Sequence, residues 1–279
     1  MATGKMLPCS SDDLGLSSSS IAHVRTVITQ TINDSDPQLV SQFVAFPQDA
    51  SQLQHNQARF KAIAGFPSVA GVIGTTFRSS SVLSTTYNKE FKNFPGDPII
   101  LIDTHVVFDA HCKILYVVQK SVDQEILSEG GLKQIEGVLA LAGYHLLGDS
   151  GYPCRQCLLT PYLRPLPGPQ LNYNRALKKT RGVMRRGISQ MKRRFPVLQA
   201  DIKLKPERVS RIIVICAILH NICRDRNIPL PEGEDDDDGD DSDVKVKDEK
   251  MMDEENGPVE SLPPSDLHYR LHFTDLHFK

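Results

Sequence analysis

The chain changes rhythm twice. After an N-terminal stretch whose apolar residues Ile21, Val24, Ile28 and Ile32 recur at helical spacing, and a second helical segment "QDASQLQHNQARFKAIAG", the pattern switches to short β-branched runs bounded by Gly, Pro or Asp. These are "VAGVIGTTF" at 69–77, "PIILIDTHVVFDAH" at 98–111, "KILYVVQ" at 113–119 and "YHLLGD" at 144–149. Between the third and fourth, "SVDQEILSEGGLKQIEGVLALAG" has the length of a helical crossover, which parallel strands need. An extended Pro-rich connection, "CLLTPYLRPLPGP", leads to a long helix at 172–195. The closing helix "KPERVSRIIVICAILHNICRD" buries a stripe through Ile212, Cys216, Leu219, His220 and Cys223.

A meander, a crossover helix, a further strand and then helices is the element order of an RNase H-like α/β domain. The expected organisation is a helical N-terminal region at 1–64, the α/β domain (a mixed sheet with flanking helices) at 65–228, and a disordered acidic tail at 229–279. Within the first region, "DDLGLSSSSIAHVRTVITQTI" resembles the turn and second helix of a truncated helix-turn-helix, with serine at the N-cap. An ordinary serine-capped helix has the same pattern.

Charge sharpens this division. The formal net charge is -2, yet residues 232–260 hold 15 acids and 3 lysines, leaving 19 acids against 29 bases elsewhere, a net of +10. A basic body is drawn to polyanions. The tail "EGEDDDDGDDSD" either competes for the same surface or only keeps the chain in solution. No window approaches the roughly 18 continuous apolar residues of a membrane span, and the N-terminus lacks a charged-then-apolar signal pattern. The expected location is the nucleus, with the cytosol as the alternative. Six scattered cysteines fit reduced, mostly buried thiols. The "CRQC" pair, Cys154 and Cys157, has zinc-knuckle or redox spacing but no second pair at matching distance. Nucleotide-binding, Ser-His-Asp and glycine-rich phosphate motifs are absent.

The helix "NRALKKTRGVMRRGISQMKRR" carries Arg175, Lys178, Lys179, Arg181, Arg185, Arg186, Lys192, Arg193 and Arg194 without one acid. Such density suits phosphate neutralisation, and DNA bound this way would be held with steep salt dependence and little sequence preference. A solvated helix face is the competing reading. The last segment, "DLHYRLHFTDLHFK", alternates apolar and polar residues and suggests no role.

Five blocks in order resemble the Harbinger transposase-derived nuclease family, relatives of the PIF/Harbinger DDE transposases: "GFPSVAGVIGTTF", "VVFDAH", "LLGDSGYP…LLTPY", "YNRALKKTRGVMRRGISQMKRRFPVL" and "IIVICAILHNIC". The resemblance implies an RNase H-like fold and DNA phosphodiester hydrolysis by Mg or Mn held on acidic residues. It also implies a separate Myb-like DNA-binding partner. Two hard cations about 3.5–4 Å apart need several carboxylates. At the family's four acidic positions this chain has Gly74, Gln124 (between Asp123 and Glu125), Asp149 and Arg185, so one acid of four survives. The guanidinium of Arg185 would repel a cation and could pair with Asp149. The expectation is therefore a catalytically weak or inactive DNA-binding protein. Its rivals are a Mg-dependent nuclease using Asp149 with Asp123 or Glu125, and a protein-interaction scaffold. A second acidic set, Asp103 with Asp123 and Asp149, is also open, Asp103 and Asp109 being placed on one strand face. His220 and Asn221 match the family's closing helix, and His220 is expected to be a hydrogen-bonded core histidine rather than a catalytic one.

Overall fold

A computed structural model describes residues 37–82, 99–120, 131–199, 206–231 and 264–279. The elements in chain order are α1 (Pro37–Phe43), α2 (Ala50–Ala64), β1 (Val69–Val82), β2 (Ile99–Phe108), β3 (Ile114–Lys120), α3 (Gly131–Ala142), β4 (His145–Leu147), β5 (Leu158–Leu159), α4 (Pro169–Arg194), α5 (Pro206–Asp225) and α6 (Pro264–His277). The helix-turn-helix remnant, the acidic run, and Asp123, Gln124 and Glu125 lie outside the described residues.

The strands form one mixed sheet in the order β3-β2-β1-β4-β5. β1, β2 and β3 pair antiparallel as a meander, and β4 then adds parallel to β1 after the α3 crossover. The two-residue β5, in the stretch expected to be an extended connection, adds parallel to β4. Alternation along the strands divides the apolar residues between two faces. Val72, Val106 and Phe108 pack under α4 and α5, while Ile73, Val107 and Leu146 pack with Ile135 and Leu139 of α3.

Helix α2 has clear stops. Asp49 caps its start by accepting from the Gln52 N–H at 2.8 Å, and Gly65, at φ 74°, ends it in the left-handed region. Its Phe60 joins one core and Leu53 the other, so residues before 65 share the body's interior.

The expectation of disorder through residue 279 is corrected for residues 264–279, which form α6 against the core. Phe273 lies 5.8 Å from the Phe66 ring and 4.9 Å from His145, and Phe278 lies 5.4 Å from Tyr173. The fully buried Arg270 sits 4.2 Å over the Tyr162 ring and donates to the Pro161 carbonyl at 3.2 Å. The ring face and carbonyl replace part of the water that a buried cation loses. Because Arg270 and Thr274 supply polar residues to the buried face, its helical period does not read as apolar.

Candidate nuclease-type site and its basic helix

Asp149 lies two residues past Leu147, beyond the carboxyl end of β4. Its Oδ1 accepts the Gly151 N–H at 3.0 Å and its carbonyl accepts the Tyr152 N–H at 3.2 Å, closing the "GDSGYP" turn. Its Oδ2 accepts from Arg181 Nη2 at 3.1 Å, in a half-exposed ion pair. Arg185 is the partner that the sequence leads one to expect. The guanidinium that reaches Asp149 comes instead from one turn earlier on α4, and Arg185 is exposed.

Gly74 stands level with Asp149. Val72 of β1 pairs with Leu147 of β4, so both residues lie two positions beyond a matched pair on neighbouring parallel strands. A Cβ added to Gly74 would meet Met184 of α4, 2.8 Å from its Cε, 3.2 Å from its Cγ and 3.4 Å from its Sδ. One helix face therefore covers both positions, Arg181 over Asp149 and Met184 over Gly74. The fit is reciprocal a turn later, where a Cβ on Gly187 would lie 2.7 Å from the Phe108 ring of β2. Glycine opposite a large side chain on each surface brings α4 close onto the sheet.

Asp109 does not join Asp149 here. Asp109 lies beyond the end of β2, buried in the hairpin turn, where its Oδ1 accepts the N–H groups of His111 and Lys113, each at 2.8 Å. Burial pushes its carboxyl above the usual range, against those two hydrogen bonds. It is not on a regular strand face with Asp103, whose backbone pairs with Arg78 and Lys120. Among the described residues no three of His, Cys, Asp and Glu come together as a metal cage.

Sequence reasoning missed a buried network beside the site. On the opposite sheet face, the His105 ring bonds Tyr152 Oη, and Thr75 Oγ1 lies 3.3 Å from the same nitrogen, His105 Nδ1. The "GDSGYP" turn is thereby fastened to β2. The available signal was a histidine inside the apolar strand "IDTHVVF".

The family described as "DDE superfamily endonuclease" matches residues 100–221. Three curated relatives extend the likeness. "Putative nuclease HARBI1" of Xenopus laevis is 26% identical over 227 residues, 78% of this chain and 63% of that protein. Its Mus musculus namesake is 28% identical over 248 residues, 81% of this chain and 68% of that protein. "Protein ALP1-like" of Arabidopsis thaliana is 23% identical over 245 residues, covering 81% and 58%. These matches support a likeness to the Harbinger transposase-derived family. The chain spans 63% of the first of these relatives. No solved structure matches it.

The basic residues of α4 have divided duties. Arg181 holds Asp149, while Arg193 donates to the Pro231 carbonyl at 2.7 Å and Arg194 to those of Ile228 at 2.7 Å and Pro229 at 3.1 Å. Those three guanidinium groups, expected to face DNA, bond within the chain. Lys178 and Lys192 are half-buried, whereas Arg175, Lys179, Arg185 and Arg186 are exposed.

The remaining motifs are structural. Cys154 and Cys157 form no disulfide, and burial with the nearby Glu136 pushes Cys157 up to about 11. His220 donates through Nε2 to the Cys112 carbonyl at 2.8 Å, and burial holds its pKa down at about 4. Asn221 donates to the carbonyls of Ile114 and Phe43, both at 2.7 Å, and accepts the Ile114 N–H at 2.8 Å. It ties α5 to both the sheet and α1.

Proposed function

We propose that this chain is a transposase-derived protein of RNase H-like fold that retains the family's nuclease frame, binds DNA through α4, and cleaves weakly or not at all. The observation that carries this reading is the pairing of Asp149 with Arg181 while Met184 covers Gly74. A carboxylate neutralised by a fixed cation gives little attraction to a dication, and a thioether offers magnesium no hard ligand. The exposed bases of α4 supply the phosphate contacts, so binding weakens as salt rises and depends little on sequence. No helix among the described residues is long and apolar enough to cross a membrane. Work in the nucleus beside a Myb-like DNA-binding partner belongs to the same proposal.

Incubation of the purified chain with supercoiled plasmid and Mg²⁺ or Mn²⁺, beside Asp149→Ala, tests it. The expected result is no more nicking by wild type than by the variant, with DNA retained by both. Cleavage abolished by Asp149→Ala would overturn the reading in favour of a magnesium-dependent nuclease that recruits Asp123 or Glu125. If reversing the charges of Arg175, Lys179, Arg185 and Arg186 left DNA retention unchanged, the DNA-binding half would fail and a protein scaffold would be the better description.

A further inference from the structure

The C-terminal end of α4 grips the strand of chain that leads into the acidic run. Helix α5 ends at Asp225 and the backbone turns at Asn227, φ 51°. Residues 228–231 then lie against the last turn of α4, their carbonyls taking hydrogen bonds from Arg193 and Arg194 at 2.7–3.1 Å. Pro229 and Pro231 fix φ within this short stretch, which limits the directions in which the chain can leave. The twelve residues that follow Pro231 contain nine Asp or Glu and no base. They start beside a 26-residue helix that has no acid at all.

We propose that residues 232–243 dock on the exposed basic face of α4, along Arg186, Arg185, Lys179 and Arg175, as a polyanion supplied by the same chain. The proposal rests on α4 being a polyanion-binding face and adds a competitor for it. Reach is sufficient: from Arg194 back to Arg175 the helix rises about 28 Å, and twelve extended residues cover about 40 Å. Arg175, Lys179 and Arg186 recur at spacings of four and seven, which aligns them in one stripe, with Arg185 flanking it. Tethering at Pro231 holds the acids near this stripe at an effective concentration on the order of millimolar, so interactions that are individually weak and salt-screened act together.

The test uses the full chain and a variant with the nine acids of 232–243 changed to Asn or Gln. The first readout needs no DNA: the rate of amine acetylation at Lys179, with exposed Lys61 on α2 as the internal control. At low salt Lys179 should react several-fold more slowly in wild type than in the variant, the difference vanishing at high salt, with Lys61 the same throughout. Arg193→Ala with Arg194→Ala should weaken the protection by releasing the tether. Equal Lys179 rates in wild type and the neutralised variant would overturn the proposal, whatever the chain does with DNA.

The second readout is affinity for a fluorescent duplex, expected to be roughly tenfold tighter for the neutralised variant at low salt. Protection of Lys179 without DNA binding by either protein would leave docking standing and sink α4 as a DNA surface. Equal DNA binding with Lys179 unprotected would do the reverse, leaving nucleic acid as the occupant.

Discussion

The terminal methyl of Met184 lies 2.8 Å from a Cβ added to Gly74 and its Cγ 3.2 Å, so a side chain there requires Met184 to shift. A small residue at position 74 is thus matched to the packing of helix on sheet. Gly74→Asp should destabilise the protein by about 1–3 kcal/mol through overpacking. Met184→Ala should restore part of that stability, giving a non-additive pair in urea unfolding. Strictly additive effects would mean that the two residues do not share this space.

Phosphate-binding groups and clamps on α4 separate by experiment. Replacing Arg175, Lys179, Arg185 and Arg186 by alanine should weaken duplex binding and lower the salt slope by about 0.9 for each phosphate no longer neutralised, with little change in stability. Arg193→Ala and Arg194→Ala remove bonds to the carbonyls of residues 228–231. They should reduce protection of that segment in hydrogen exchange. Filter binding across a salt series, paired with exchange, checks both.

Two buried histidines set a pH dependence. His145, whose Nε2 lies 3.0 Å from the Pro67 carbonyl, is held at about 3, and His220 at about 4, in both cases chiefly by burial, while unfolded imidazoles titrate near 6.5. Below 6.5 the unfolded chain takes up protons that the folded chain refuses. Stability from these groups is therefore fully present above that pH and is lost as pH falls toward 4, by up to about 1.4 kcal/mol per unit for each. Melting temperatures between pH 7 and 5 should fall, and His145→Phe should flatten the decline.

Asn221 fills three hydrogen bonds that no aliphatic residue could. Asn221→Ala strands both backbone groups of Ile114 and the Phe43 carbonyl, and should cost about 3 kcal/mol in chemical denaturation. A destabilisation below about 1 kcal/mol would mean that water replaces these bonds.

The sheet was legible because its strands are β-branched runs with clean boundaries, and α4 and α5 because their apolar stripes are long. β5 was not, since two residues inside a Pro-rich stretch carry no period. Helix α6 was missed because a buried arginine and threonine interrupt its stripe and its polar-apolar alternation mimics a strand. At the site, the resemblance singled out Gly74, Asp149 and Arg185 as expectations, but it could not say which guanidinium reaches Asp149. Arg181 and Arg185 share a helix face, and the selection depends on how far along α4 the end of β4 falls. That registry is set by Met184 over Gly74 and Gly187 on Phe108, pairs of residues far apart in sequence.

Calorimetric titration of the wild-type protein with Mg²⁺ and Mn²⁺ tests the proposed loss of metal binding most directly. With Asp149 paired to Arg181 and no second carboxylate at Gly74, no saturable uptake should appear up to millimolar metal, for wild type or for Asp149→Ala. Tight uptake by wild type that disappears in Asp149→Ala would contradict the account.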